Sequence, residues 1–126
     1  MIALVATADG TFAVDLETEE VDAGEPFTPD PEPVLNLPRV IAAAASGSTV
    51  AAVVDAKPPL LVSHDAGTTW RDAGRGLPPG RAIAVAGDTI VYAARNRLYV
   101  SSNGGVFWTA LAVELPEIAA VTLRES

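Results

Sequence analysis

The sequence of 126 residues contains no cysteine and only one histidine, which excludes a disulfide framework, a thiolate metal site and a thiol nucleophile. It contains no apolar run that approaches the roughly 18 to 20 residues needed to cross a bilayer. The opening residues, MIALVATADG, lack a positively charged segment and reach a turn at Asp9-Gly10, so we expect no signal peptide. These absences predict a cytoplasmic location by default, with no membrane partner.

Basic residues are also scarce. Sixteen acidic side chains face eight basic ones, a net charge of −8, and such a surface repels nucleic acid on average. Lys57 is the single lysine, and alanine is abundant. This composition resembles that of proteins from halophilic archaea or GC-rich bacteria, while ordinary acidity for solubility remains an alternative explanation.

Helical periodicity is nearly absent, and short strand-like runs alternate with turn residues instead. The clearest runs are STVAAVV (48–54), LLVS (60–63), RAIAVA (81–86), DTIVYAA (88–94) and RLYVSS (97–102). Short strands at regular spacing predict an all-β domain, namely a sandwich, a barrel or a propeller. With 49% apolar residues, the chain is long enough to bury a modest core in one domain.

An internal repeat decides among these architectures. LLVSHDAGTTW (60–70) precedes LYVSSNGGVFW (98–108) by 38 residues, and STVAAVV (48–54) corresponds to DTIVYAA (88–94). Each unit contains four predicted strands in about 40 residues, which is the size of one propeller blade.

The repeated segment carries a spaced motif, which we refer to as the first and second tryptophan turns (63–70 and 101–108). Its members are Ser63, Asp65, Gly67 and Trp70 in the first copy and Ser101, Asn103, Gly105 and Trp108 in the second. The motif resembles the Asp-box of BNR repeats in sialidase-like β-propellers. That resemblance implies a structural role, closing the hairpin between the third and fourth strands of a blade. His64 stands at a variable position of the motif without a second ligand nearby in sequence, so we predict no metal site.

The two ends of the chain complete one blade between them. Residues 1–23 match strands two to four of the repeat, and 117–123 matches the missing first strand; 24–38 is a Pro-rich connection between this split blade and two whole blades, 39–78 and 79–116. Three blades fall short of the usual four to eight. We therefore predict a homodimer that forms a six-bladed ring, in which each tail strand completes the head blade of the other chain. The alternatives are a fragment or an open three-blade unit capped by the Pro-rich segment.

A ligand is expected on the axial face of the ring, at the strand ends opposite the tryptophan turns. The candidate ligand-binding residues are Arg39, Arg81, Arg95, Asp55 and Lys57. Arginines near an axial opening could bind a carboxylate or phosphate in a bidentate manner. The plainer alternative is that Arg39 and Arg81 form ion pairs with Asp55 or Glu117, which surface charges commonly do.

These features predict a non-catalytic β-propeller scaffold without a cofactor, binding a small anion, a sugar or a protein. The resemblance to sialidases suggests a glycoside hydrolase as the alternative, and it implies a tyrosine nucleophile and an arginine triad. Tyr92 and Tyr99 lie inside strands with apolar neighbours, where packing is the expected role, and no arginine motif of that kind is found. A sugar-binding lectin is a third reading, but the turn motif already accounts for Trp70 and Trp108. We predict no catalytic residue.

Overall fold

The computed structural model describes residues 1–125 and contains three four-stranded antiparallel sheets, which confirms the all-β prediction. Blade 1 consists of β12 (Ile118–Arg124), β1 (Ile2–Thr7), β2 (Gly10–Asp15) and β3 (Val21–Ala23). Blade 2 consists of β4 (Val40–Ser46), β5 (Thr49–Val54), β6 (Leu60–Ser63) and β7 (Arg71–Asp72). Blade 3 consists of β8 (Ala82–Ala86), β9 (Thr89–Ala93), β10 (Leu98–Ser101) and β11 (Thr109–Ala110). Nowhere in residues 1–125 is there a helix with the length and apolarity of a membrane span.

Alanine-rich segments form strands here although alanine favours helix. The run at 42–45 belongs to β4, whose pairing with β5 contains an irregularity between Val40 and Ala42. Gly47, with a φ of 59°, ends the strand in a tight turn after too few residues for a stable helix. Small side chains allow the first strand of one blade to pack closely on the next, so tertiary contacts override the helix propensity.

The split blade is completed within one chain. Strand β12 pairs with β1 from Ile2↔Arg124 to Thr7↔Ile118, and the Ala8 N–H donates to the Glu117 carbonyl at 2.9 Å. The two ends of the chain thus lie in one sheet, and the exchange of tail strands between two chains stays a prediction. The short connection from β11 brings β12 against β8 and β1 of its own chain.

The first strands β4, β8 and β12 lie side by side in that order, so blade 3 is central and blades 2 and 1 flank it. Each interface has its own apolar core. Blades 2 and 3 bury Val53, Leu60 and Tyr92, among others, and blades 3 and 1 bury Leu98 and Ile118, among others.

Some side chains on the outer faces of the two flanking blades are also buried. The Pro-rich segment crosses blade 1, where the Thr122 hydroxyl donates to Asp30 Oδ2 at 2.8 Å and Leu4 is buried. On blade 2, Ala52 and Val54 are buried although they belong to neither interface core. The Pro-rich segment therefore contacts the outer face of blade 1, while the capped unit and the six-bladed ring both stay predictions.

Candidate functional site

The first tryptophan turn is closed by its own side chains. The Ser63 hydroxyl donates to Asp65 Oδ1 at 2.7 Å and accepts from the Gly67 N–H at 2.8 Å. The Asp65 carboxylate accepts from the Thr69 N–H at 2.8 Å and from the Thr69 hydroxyl at 2.6 Å. Both carboxylate oxygens thus hold the turn, which is the behaviour that short acidic side chains show in turns.

The second tryptophan turn uses the same pattern with an amide in place of the carboxylate. The Ser101 hydroxyl donates to Asn103 Oδ1 at 2.9 Å and accepts from the Gly105 N–H at 2.9 Å, while the Phe107 N–H donates to Asn103 Oδ1 at 3.0 Å. An acceptor oxygen at this position is therefore sufficient for the fold of the turn, and a charge is not required.

The two tryptophans have different surroundings, which the sequence repeat does not reveal. The Trp108 indole N–H donates to the Ala73 carbonyl of blade 2 at 2.8 Å, and its ring contacts Tyr92 edge to face at 6.2 Å. Trp70 places its ring over Gly67, with Cζ2 3.6 Å from the position a β-carbon would occupy. No residue among 1–125 accepts a hydrogen bond from the Trp70 indole.

Asp65 makes the stability of the first turn sensitive to acid. Hydrogen bonds from the Thr69 hydroxyl, the Thr69 N–H and the Ser63 hydroxyl lower the pKa of Asp65 from 3.8 to about 2. Because the folded-state pKa is depressed, this contribution to stability is present above about pH 4 and is lost as the pH falls towards 2. We expect Asp65→Asn to fold normally at pH 7, as Asn103 does in the second turn, and to show a smaller loss of melting temperature between pH 4 and pH 2.

The matched control is Asp72→Asn, a carboxylate in β7 without these turn hydrogen bonds. Melting curves followed by circular dichroism at each pH give the comparison. An Asp65→Asn protein that is as acid-sensitive as the wild type would show that the Asp65 carboxylate is not the source of the acid sensitivity.

On the axial face, some of the predicted ligand-binding residues form an ion pair or a backbone hydrogen bond. Arg81 Nη1 donates to Glu117 Oε1, and this hydrogen bond, together with the charge of the guanidinium, lowers the pKa of Glu117. The Asp55 N–H donates to the Arg39 carbonyl at 3.0 Å, but the exposed Arg39 side chain forms no ion pair within residues 1–125. For Arg81 the geometry thus matches the plainer alternative of an ion pair with Glu117.

Three hollows have Gly80 in their linings, and they are here together named the axial groove. The largest, of about 780 Å³, lies where the loops of blades 2 and 3 meet; the others measure about 610 Å³ and about 560 Å³, and all three share Gly80. Its charged lining residues are Asp55, Lys57, Arg75, Arg81, Arg95, Arg97, Glu114 and Glu117. Lys57 and Asp55 therefore share the first hollow, and Arg81 and Arg95 share the third.

Five of the eight basic residues of this acidic chain line the groove. Arg97 pairs with Glu114 at 3.0 Å and Arg81 with Glu117, whereas Lys57, Arg75 and Arg95 form no ion pair within the described part of the chain. The sequence analysis missed Arg75 and Arg97. Arg97 stands two residues after the predicted Arg95 in one turn and could have been found, but nothing local marks Arg75, which reaches the groove through the loop after β7.

The two tyrosines and the histidine, which could serve in catalysis or metal binding, instead take part in packing and in hydrogen bonds. Tyr92 is fully buried, its hydroxyl donates to the Pro78 carbonyl at 2.6 Å, and burial raises its pKa to about 12. Tyr99 contacts it edge to face at 6.2 Å. His64 contacts Arg71 and Thr49, and no three His, Asp or Glu side chains among residues 1–125 are placed to share a metal ion.

No protein-family model matches the sequence, and no curated protein matches it either. Among solved structures, one described as "YCF48 bound to D1 peptide" superimposes with a TM-score of 0.54 and 22% sequence identity. The alignment covers 86% of this chain but 39% of that one, so this chain spans about two fifths of the neighbour's length. At this identity the likeness concerns the fold alone, and the fold of the chain is that of a β-propeller.

Proposed function

We propose that the chain is a non-catalytic β-propeller binding module that holds an extended acidic segment of a partner protein in the axial groove. The observation that carries this proposal is the coincidence of unpaired basic side chains with apolar walls. Lys57 and Arg75 flank a hollow whose other walls include Ile41, 47% exposed, and Leu77. Apolar pockets with a few convergent polar groups are the usual form of a binding site.

The charge distribution supports an acidic ligand. In a chain of net charge −8, five basic and three acidic side chains line the groove, and this local excess of positive charge favours an anionic ligand over a basic one. The three hollows that share Gly80 together offer more room than a single small ion needs, which suits a peptide segment better. The structural neighbour, by its description, also binds a peptide.

We further propose that the chain is a divergent member of the Asp-box propellers, supported by the serine-to-Asp65 and serine-to-Asn103 hydrogen bonds of the two turns. A cytoplasmic location and a halophilic or GC-rich origin stay predictions from composition. The six-bladed homodimer also stays a prediction, and the contact of the Pro-rich segment with blade 1 supports a capped single unit in its place.

Fluorescence anisotropy with a labelled peptide of alternating glutamate and leucine tests the binding function. We expect binding that weakens with added salt, and at least a tenfold loss of affinity in the double variant Lys57→Glu, Arg75→Glu. The control is Arg124→Glu, which makes the same kind of charge change at the end of β12, outside the groove residues. Equal binding of a glutamine–leucine peptide, or an equal loss in the control, would contradict the proposal.

A further inference from the structure

A small pocket lies beside the first tryptophan turn, at the strand ends opposite the axial groove. Its volume is about 240 Å³, and it is lined by Val62, His64, Asp65, Thr69, Trp70 and Arg71. In the second turn, the positions of His64, Thr69 and Arg71 are taken by Ser102, Phe107 and Thr109. The pocket thus combines an aromatic ring with polar groups that the repeat does not require.

The hydrogen-bonding capacity of this pocket is unevenly used. The Asp65 oxygens are occupied by Ser63 and Thr69, so the strongest acceptor already has partners. Among the donors, the Trp70 indole N–H has no acceptor within residues 1–125, in contrast to the Trp108 indole. The pocket therefore offers donors to a ligand that brings acceptors.

Arg71 adds a positive charge to these donors. One guanidinium nitrogen lies 3.1 Å from His64 Nε2, and Arg71 forms no ion pair in the described part of the chain. Because Arg71 can only donate, this geometry places the imidazole proton on Nδ1, which faces the Thr49 hydroxyl at 3.4 Å. The remaining N–H groups of the guanidinium form a planar fork that matches a carboxylate.

We propose that this pocket binds a small organic carboxylate with a ring-shaped body. The ring packs on the exposed part of the Trp70 indole, and the carboxylate accepts hydrogen bonds from Arg71. The site goes beyond the proposed peptide-binding function, because it shares no residue with the axial groove.

The two indole N–H resonances in a proton–nitrogen NMR spectrum test this proposal directly, since Trp70 and Trp108 are the only tryptophans. Trp70→Phe assigns the resonances. On titration with benzoate we expect a saturable shift of the Trp70 indole resonance, with little change at Trp108, whose N–H is held by Ala73. Benzamide, which has the same ring without the charge, should bind at least tenfold more weakly.

Arg71→Gln should weaken benzoate binding at least tenfold, whereas Arg124→Gln, a charge change at the end of β12 and outside the pocket, should leave it unchanged. Glucuronate with glucose as its neutral control distinguishes a sugar ring from an aromatic ring, and a selective shift with either carboxylate supports the site. Three results would overturn it: no response to either carboxylate, an equal response to the neutral controls, or a Trp70 shift that follows protein concentration alone. The last would show that a second chain occupies the indole.

Discussion

Removal of residues 117–126 is expected to abolish the folded state. The deletion takes away the whole of β12, which pairs with β1 along its length and buries Ile118 and Val121 in the core between blades 3 and 1. It also removes the Glu117 partner of Arg81 and takes away the first strand that packs on one side of β8. Lost burial and strand pairing together exceed what a domain with a typical total stability of about 5–15 kcal/mol can lose.

Circular dichroism and the soluble yield give the measurement. Deletion of residues 125 and 126 alone is the matched control, because it leaves β12 (Ile118–Arg124) complete and should retain a cooperative melting curve. A protein that lacks 117–126 but still melts cooperatively would show that β12 does not belong to the core of blade 1.

Light scattering on the intact chain, at low and high salt, decides between a capped three-blade unit and the six-bladed ring. A monomeric mass agrees with the pairing of β12 with β1 in its own chain and with the buried outer faces. If the intact chain is a dimer, and deletion of residues 117–126 yields a folded monomer, the result would support the exchange of tail strands between chains.

Tyr92→Ala is expected to lower the free energy of unfolding by about 3–5 kcal/mol, the range for removal of a buried aromatic side chain. Tyr92 lies at the centre of the interface between blades 2 and 3, with 0% of its surface exposed and with Tyr99 and Trp108 at 6.2 Å. Gly80 packs so closely on the Tyr92 ring that a β-carbon there would approach it to 2.5 Å, so the surrounding backbone is already in contact. Urea denaturation gives the measurement.

The control Tyr92→Phe removes only the hydrogen bond to the Pro78 carbonyl and should cost about 1 kcal/mol. Tyr99→Ala, at a half-buried position, should cost less than Tyr92→Ala. If Tyr92→Ala and Tyr99→Ala cost the same, the packing of blade 2 on blade 3 does not depend on the Tyr92 ring as the structure indicates.

Strands and turns could be predicted here because their causes are local. Alternation of small and β-branched residues, interrupted by Gly47 or Asp88, defines where strands begin and end to within a residue or two. The tryptophan turns could be recognised for the same reason, since Ser63, Asp65 and Gly67 form hydrogen bonds with one another within five residues.

Proximity across blades could not be predicted with the same success. The ion pair of Arg81 with Glu117 was foreseen as an alternative because both residues precede first strands of the repeat. Arg75 was missed because its loop reaches the axial groove only after blades 2 and 3 pack together. Blade geometry, and not sequence spacing, sets which side chains converge.

The sequence by itself determined a chain of β-strands in three repeated units, with two self-closing turns and with its two ends joined in one sheet. Only the tertiary structure decided that most basic residues line the axial groove, and that Trp108 is held by a neighbouring blade while Trp70 is not. Local hydrogen bonds and side-chain alternation are encoded over a few residues, whereas the surroundings of an identical motif depend on which sheet lies against it.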